Sequence, residues 1–163
     1  MELKKILVPL DGSVLAEAAL APAVELAMKT GAQMLVLLRA AEAHTMPMAD
    51  PSEAQVTAVR TAEEYLAGAR ERVVKAGFER VETSVWYGPP AEAIVEAAAF
   101  RKADLIVMSS HGRSGLGRLV LGSVAETVLR GTTVPILLIR PGNAPVSSPF
   151  VSGQVTAREI ANV

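Results

Sequence analysis

Strand-like and helix-like segments alternate along this 163-residue chain, and the alternation restricts the possible folds more than any other feature. Short runs rich in apolar residues that end in turn residues are typical of strands buried in parallel sheets. The longer stretches between them repeat apolar residues at helical spacing. The predicted strands are 6–10, 34–38, 81–86, 104–108 and 134–139, and the predicted helices are 13–29, 52–76, 88–102 and 123–130.

This order predicts an α/β fold with one five-stranded parallel sheet and helices on both faces. Crossovers between parallel strands are almost always right-handed, and five such strands most often give the doubly wound order 3-2-1-4-5. The chain then reverses direction across the sheet between the first and fourth strands. Ligands bind at the carboxyl ends of the strands that flank such a reversal. The turn at Asp11 and the glycine-rich segment 109–122 are therefore expected on either side of one crevice.

A proline and a glycine are expected to shape the first helix. Pro22 lies inside the predicted segment, and its nitrogen cannot donate to the carbonyl of Ala18, so we expect a kink there. Gly31 is expected to end the helix, as glycine commonly does.

The chain length favours a single domain. Residues 141–149 are rich in proline and serine, which is typical of a linker, and the residues after them show no clear period. We therefore predict one domain over residues 1–141 and a C-terminal extension over residues 142–163.

Composition excludes several classes of site and partner. The chain has no cysteine and two histidines, which excludes disulfides, thiolate chemistry and metal sites rich in those residues. Sixteen basic residues balance 17 acidic ones, and one Trp, two Tyr and three Phe are too few for a base-stacking platform. We therefore expect no nucleic-acid partner and no membrane partner. The short apolar run after Lys5 is unlike a signal peptide, so the expected location is the cytoplasm.

The segment from Ser109 to Ser123 carries the main indication of a binding site. Glycine lets a ligand approach backbone N–H groups closely, and the segment runs into a predicted helix N-terminus, which favours anions. The combination predicts a cradle for phosphate groups. A P-loop is excluded because Arg118 and Leu119 stand where Lys and then Ser or Thr are required. No G-x-G-x-x-G opens the first helix, and G-x-S-x-G is absent. The glycines of the segment are Gly112, Gly115, Gly117 and Gly122.

Over residues 3–140 the chain resembles the universal stress protein family. The resemblance rests on separated segments in matching order and spacing, which are ILVPLDGS at 6–13, ADLIVM at 103–108, SHGRSGL at 110–116, LGSVAE at 121–126 and VPILLI at 134–139.

The ATP-binding branch of that family has the pattern G-x₂-G-x₉-G-[S/T]. Gly112, Gly122 and Ser123 match the pattern, and Ser109 stands in place of its first glycine. If that position requires a positive φ, serine there costs on the order of 1 kcal/mol.

The resemblance implies ATP as the ligand, with Pro9, Asp11 and the backbone near Ala40 on the adenosine side. Mg²⁺ or Mn²⁺ is expected to accompany the phosphates, with Asp11 as the candidate protein ligand. The predicted nucleotide site comprises Pro9, Asp11, Gly12, Ala40, Met108, Ser109, His111, Gly112, Arg113, Gly115, Gly122, Ser123 and Val124.

Strand 134–139 is apolar and lies at an edge of the predicted sheet, where strands are normally covered or paired. A second copy of the strand would cover it, and the resemblance implies the same homodimer. The interface is expected to centre on Val134, Ile136 and Leu138. The alternative is that residues 150–163 fold back over this edge within one chain.

Several residues keep two interpretations. Asp11 contacts a ribose hydroxyl or a metal, or else Asp11 or Ser13 caps the first helix. Ser123 contacts phosphate, or it caps the last helix together with Glu126 in a capping box. Arg113 and Arg118 neutralise phosphate charge or are solvated, and His111 packs the loop or acts as a base.

Three functions remain open at this point. The chain is a regulatory module that holds ATP in the stress response, a slow ATPase or phosphotransferase, or a dimeric scaffold without nucleotide. The glycines of the segment argue against the scaffold. The absence of a lysine in the segment, and of a residue that would orient a nucleophile, argues against the enzyme. The regulatory module needs only the cradle.

Overall fold

Parallel strands and alternating helices make up the computed structural model, which describes residues 2–42, 50–110 and 121–140. The strands are β1 (Lys5–Pro9), β2 (Met34–Ala41), β3 (Val81–Tyr87), β4 (Leu105–Ser109) and β5 (Ile136–Ile139). The helices are α1 (Val14–Glu17), α2 (Leu20–Thr30), α3 (Pro51–Lys75), α4 (Pro90–Arg101) and α5 (Ser123–Gly131).

The strands of the described residues form one sheet in the order β3-β2-β1-β4-β5, and every neighbouring pair is parallel. This confirms the predicted doubly wound order. The centre of the sheet is shielded from solvent, since Ile6, Leu7 and Val8 of β1 are fully buried. Because β1 pairs with β2 on one side and β4 on the other, the carboxyl ends of these three strands lie side by side.

Helices cover both faces of the sheet, as predicted. Side chains alternate between the faces along each strand, so Leu35 and Leu37 of β2 pack with α2 and α3. Val36 and Leu38 point the other way and pack with α4 and α5. Each face therefore has its own apolar cluster, and the sheet separates the two.

The predicted helix 13–29 is wrong as one kinked helix, because it consists of α1 and α2. The break lies at Ala18 and Ala19, whose N–H groups donate to Leu15 and Ala16, three residues back. Pro22 is the third residue of α2, where an N–H has no acceptor within its helix, so the proline is accommodated without a kink. Gly31 ends α2 in the left-handed conformation, at φ 69°, as expected.

Other boundaries differ from the prediction by one to three residues, and two of them bear on the site and on the edge of the sheet. Strand β2 continues through Ala41, three residues beyond the predicted end, because residues 35–41 pair with β3. Strand β5 begins at Ile136 and lies at an edge of the sheet, so Val134 precedes the strand. The predicted extension, residues 142–163, lies outside the described residues.

Candidate functional site

A cavity of about 470 Å³ opens at the carboxyl ends of β1, β2 and β4, at the predicted reversal of the sheet. The start of α5, the first turn of α4, and residues of α1 and α3 complete its described walls. The described lining residues are Pro9, Leu10, Asp11, Ala16, Leu38, Arg39, Ala40, Ala41, Glu42, Ala58, Thr61, Pro90, Ile94, Met108, Ser109, Ser110, Gly122, Ser123, Val124 and Ala125.

A tight turn after β1 forms one wall. The carboxylate of Asp11 accepts a hydrogen bond from the backbone N–H of Ser13 at 2.8 Å. The hydroxyl of Ser13 accepts from the N–H of Ala16 at 3.1 Å, which makes Ser13 the N-cap of α1. Of the two candidates for the cap of the first helix, Asp11 and Ser13, the cap is therefore Ser13. Asp11 stabilises the turn and lines the cavity.

The opposite wall is built where β4 ends and α5 begins. Ser109 and Ser110 are buried, and the N–H of Ser110 donates to the carbonyl of Ile139 in β5. The N–H of Gly122 donates to the carbonyl of Ser110 at 2.8 Å, so the chain on both sides of residues 111–120 is joined there. Ser109 lies within β4, and the one described non-glycine residue with a positive φ is Lys102. The strain considered for serine at position 109 therefore does not arise.

Gly122 is the N-cap of α5, with no side-chain cap, and Ser123 is the first helical residue. The predicted capping box of Ser123 and Glu126 is therefore wrong: the carboxylate of Glu126 pairs with Arg130 at 2.9 Å instead. The helix begins one residue earlier than a serine cap requires, because Gly122 already has the extended cap conformation. The first N–H groups of α5 have no acceptor within the helix, and they lie beside the cavity.

A cluster of polar and charged residues lies at the end of β2, and its member Arg39 lines the cavity. The guanidinium of Arg39 lies 4.6 Å from the centre of the Tyr65 ring. The hydroxyl of Tyr65 donates to Glu17 at 2.8 Å, and Arg72 pairs with the same carboxylate oxygen at 2.7 Å. Burial raises the pKa of the Tyr65 hydroxyl, and the hydrogen bond to Glu17 raises it further. The phenol therefore stays neutral and serves as a donor.

The structure brings most of the described predicted residues to this one cavity. Its lining includes Pro9, Asp11, Ala40, Met108, Ser109, Gly122, Ser123 and Val124. Gly12, in the turn after β1, lies beside the Arg39 side chain but is not part of the cavity lining. His111, Gly112, Arg113 and Gly115 lie outside the described residues.

Sequence reasoning missed the charged residues at the end of β2 and directly after it. Arg39 and Glu42 line the cavity, together with Ala58 and Thr61 of α3. The available signal was a charged residue at the carboxyl end of an otherwise apolar strand, MLVLLRAA. Such a residue is costly in a buried sheet unless it reaches a polar site at the edge.

The described residues contain no group of three or more His, Asp or Glu that could hold a metal ion on its own. Asp11 and Glu42 are the two carboxylates among the described lining residues. This suits Mg²⁺, which usually keeps several waters and binds phosphate oxygens with one or two carboxylates. In the same part of the chain, no helix is long and apolar enough to cross a membrane.

A family model described as the universal stress protein family matches residues 2–140. The chain belongs to the universal stress protein family. It is 32% identical over 140 residues to a universal stress protein of Methanocaldococcus jannaschii, covering 84% of this chain and 82% of the relative.

Two solved structures of the family share the fold. UspA of Lactobacillus plantarum superposes with a TM-score of 0.75 at 28% identity, covering 86% of this chain and 99% of that one. A universal stress protein solved in complex with cAMP gives a TM-score of 0.64 at 26% identity, covering 86% of this chain and 98% of that one.

Proposed function

We propose that this universal stress protein binds ATP in the cavity and acts as a regulatory module of the stress response. The observation that carries the proposal is the cavity itself, which lies between the turn at Asp11 and the N-terminus of α5. Its volume of about 470 Å³ falls within the range of small-molecule sites. A relative with the same fold was solved in complex with cAMP, an adenine nucleotide.

In the proposed arrangement the phosphates lie at the N-terminus of α5. The N–H groups of Ser123 and Val124 have no acceptor within the helix and can bind phosphate there. The N–H of Gly122 already donates to the carbonyl of Ser110. The positive end of the helix dipole adds to the attraction of an anion. His111, Gly112, Arg113 and Gly115 belong to the proposed phosphate cradle on the strength of the family pattern alone.

The adenosine half lies toward Pro9, Asp11 and Ala40 at the ends of β1 and β2. Pro9 is buried at the end of β1 and offers an apolar surface. The carboxylate of Asp11 accepts a hydrogen bond from the N–H of Ser13 and lines the cavity, and a carboxylate is a suitable acceptor for a ribose hydroxyl.

We further propose that Mg²⁺ or Mn²⁺ binds with the phosphates and that Asp11 contributes its carboxylate. The bound ion would neutralise phosphate charge. The chain supplies few ligands to it, in keeping with the single carboxylate in the turn. Removing the ion with a chelator is expected to weaken ATP binding, and unchanged affinity would contradict a role for the metal.

The proposed assembly is a cytoplasmic homodimer joined through β5. Leu137 and Leu138 of this edge strand are 39% and 36% exposed, so a second copy of the strand would bury them.

Release of a bound nucleotide tests the proposed function directly. The purified full-length protein is precipitated with acid, and the supernatant is analysed for adenine nucleotide. Released ATP supports the regulatory module, whereas ADP or AMP favours hydrolysis. If no nucleotide is released, calorimetric titration with ATP and Mg²⁺ decides, and the absence of binding would contradict the proposal.

A further inference from the structure

Arg39 places a positive charge on the cavity wall at the end of β2. It is the only Lys or Arg among the described residues of the lining. The side chain of Arg39 is half-buried and projects from an otherwise apolar strand. A guanidinium keeps its charge in such surroundings, so it needs hydrogen-bonding or stacking partners.

Gly12 and Tyr65 both lie close to the guanidinium. An added Cβ on Gly12 would lie 3.4 Å from Nη1 and 3.5 Å from both Cζ and Nη2 of Arg39. These nearly equal distances place the added Cβ over the flat face of the guanidinium. An atom in the plane of the guanidinium, beyond its nitrogens, would be clearly nearer to the nitrogens than to Cζ. The Tyr65 ring lies 4.6 Å from Cζ, within the range of a cation–π contact. A ligand that contacts Arg39 is therefore expected at its N–H groups and not over the face beside Gly12.

The support for Arg39 extends across three elements. Tyr65 of α3 is itself held by the carboxylate of Glu17 in α1, and Arg72 pairs with that carboxylate. A tyrosine fixed at both its ring and its hydroxyl has little rotamer freedom left to lose on ligand binding. The guanidinium is thus held before a ligand arrives.

Arg39 lies far from the proposed phosphate end. Strand β1 separates β2 from β4, which puts β2 about 10 Å from β4 at the usual strand spacing. Arg39 also follows Leu37 by two residues and so leaves the sheet on the side of α2 and α3, whereas α5 packs on the other side. The separation is comparable to the length of a nucleoside.

The charges around Arg39 argue against a second phosphate site. The carboxylates of Asp11 and Glu42 line the same cavity. The two negative groups and one positive group of the described lining suit a neutral partner that both donates and accepts hydrogen bonds, as a ribose or a base does.

We propose that Arg39 contacts the nucleoside half of the ligand and contributes affinity there independently of the phosphates, with Tyr65 as its positioning residue. This rests on the proposed function. The guanidinium donates charge-assisted hydrogen bonds to a ribose oxygen or to an acceptor atom of the base.

Calorimetric titration of the full-length protein with AMP, ADP and ATP tests the proposal. Replacing Arg39→Met keeps the apolar stem and removes the donors. We expect its affinity to fall roughly 10- to 100-fold, by the same factor for all three nucleotides. Arg39→Lys keeps the charge without the planar fork and is expected to show a smaller loss, again equal for the three.

Arg80 provides a matched control, because its guanidinium also lies over an aromatic ring, that of Phe78, but away from the cavity lining. Arg80→Met should leave all three affinities unchanged. Tyr65→Leu should reproduce the phosphate-independent loss in part, and the double variant with Arg39→Met should lose no more than Arg39→Met alone. Tyr65→Phe, which keeps the ring, should restore most of the affinity.

The outcomes separate this inference from the proposed function. A loss that grows with the number of phosphates would place Arg39 at the phosphates and overturn the inference. Unchanged affinity in a folded Arg39→Met variant would also overturn it, while ATP binding by the wild type would leave the proposed function standing. A wild type that binds none of the three nucleotides would overturn both.

Discussion

The turn at the end of β1 contains Asp11, Gly12 and Ser13, and each of them has a different structural role. Ser13 caps α1, and Asp11 organises the backbone through its bond to the Ser13 N–H. Gly12 has a φ of 88°, which other residues rarely adopt, and its missing side chain leaves room for Arg39. Structural and binding interpretations of such residues are therefore not exclusive, because the same turn that starts a helix also forms the cavity wall.

Gly122→Val is expected to lower ATP affinity at least about tenfold while the protein stays folded. Gly122 lines the cavity at the proposed phosphate end, and a β-branched side chain there would occupy ligand space. Its backbone, at φ −68° and ψ 151°, suits valine, so we expect a stability loss of no more than about 1 kcal/mol. Calorimetry with ATP and urea unfolding measure the two effects. Unchanged ATP affinity would contradict the phosphate site at α5.

Alkaline pH is expected to weaken the fold through Tyr65. Burial raises the pKa of this phenol above the value near 10 of an unfolded tyrosine, so the folded state favours the neutral form. The stabilisation is complete below about pH 10 and is lost as the pH rises through the folded pKa. Urea unfolding at increasing pH should show a decline that Tyr65→Phe reduces.

The absorbance of tyrosinate gives an independent measurement of Tyr65. The chain has two tyrosines, so Tyr87→Phe leaves Tyr65 as the one reporter. A midpoint at the ordinary tyrosine pKa in that variant would contradict the buried, hydrogen-bonded phenol.

Side chains cap the starts of α1 and α3, at Ser13 and Asp50, whereas other helix ends are set by backbone conformation. Gly31 and Lys102 both follow helices in the left-handed conformation, at φ 69° and φ 52°. Gly122 starts α5 without a side-chain cap. The elements that carry the site are therefore held by the packing of their apolar faces, with Ala125 and Val128 of α5 buried against α4 and the sheet.

Two glycines with different backbone conformations, Gly68 inside a helix and Gly77 after one, test the role of backbone conformation at helix ends. Gly68 lies inside α3, where an added Cβ would meet only Arg72 Nη1, at 3.8 Å. Gly68→Ala is expected to raise the free energy of unfolding by about 0.5–1 kcal/mol. Gly77 follows α3 with a φ of 100°, and Gly77→Ala is expected to lower that free energy by about 1 kcal/mol or more. Urea denaturation of both variants measures the contrast, and equal effects would contradict the assigned conformations.

The sheet leaves two edges, and they differ in apolar exposure. Residues of β3 at one edge are partly polar, with Glu82 and Thr83 exposed. At the other edge, β5 exposes Leu137 and Leu138. Ile136 and Val134 pack against the cluster of α4 and α5, so Leu138 is the one exposed residue of the three that were predicted at the centre of an interface.

Light scattering of the full-length chain is expected to show twice the monomer mass of 17.1 kDa. Leu138→Lys should shift the protein toward the monomer, because it puts a charge into the proposed interface. Met28→Lys is the control, since Met28 is 46% exposed on α2, a helix that packs on β1 and β2. A full-length monomer that dimerises only when the chain ends at Gly142 would contradict the dimer and favour a cap formed by residues 150–163.

The order of strands, the two-sided cover of helices and the position of the crevice were predictable from the sequence by itself. These features depend on patterns within a few residues, such as the apolar run before Asp11 and the stop at Gly31. Right-handed crossovers then leave few ways to connect five parallel strands. The predicted residues at the ends of β1 and β4 therefore lie at one cavity.

Only the tertiary structure decided which side chains meet across the fold. The break before Pro22 and the cap at Gly122 depend on how α2 and α5 pack, which local preferences do not determine. The guanidinium of Arg39 lies beside Gly12 and over the ring of Tyr65, which stand 27 and 26 residues away in sequence. Such contacts follow from the register of β2 against its neighbours and from the docking of α3, and no short stretch of sequence encodes either of them.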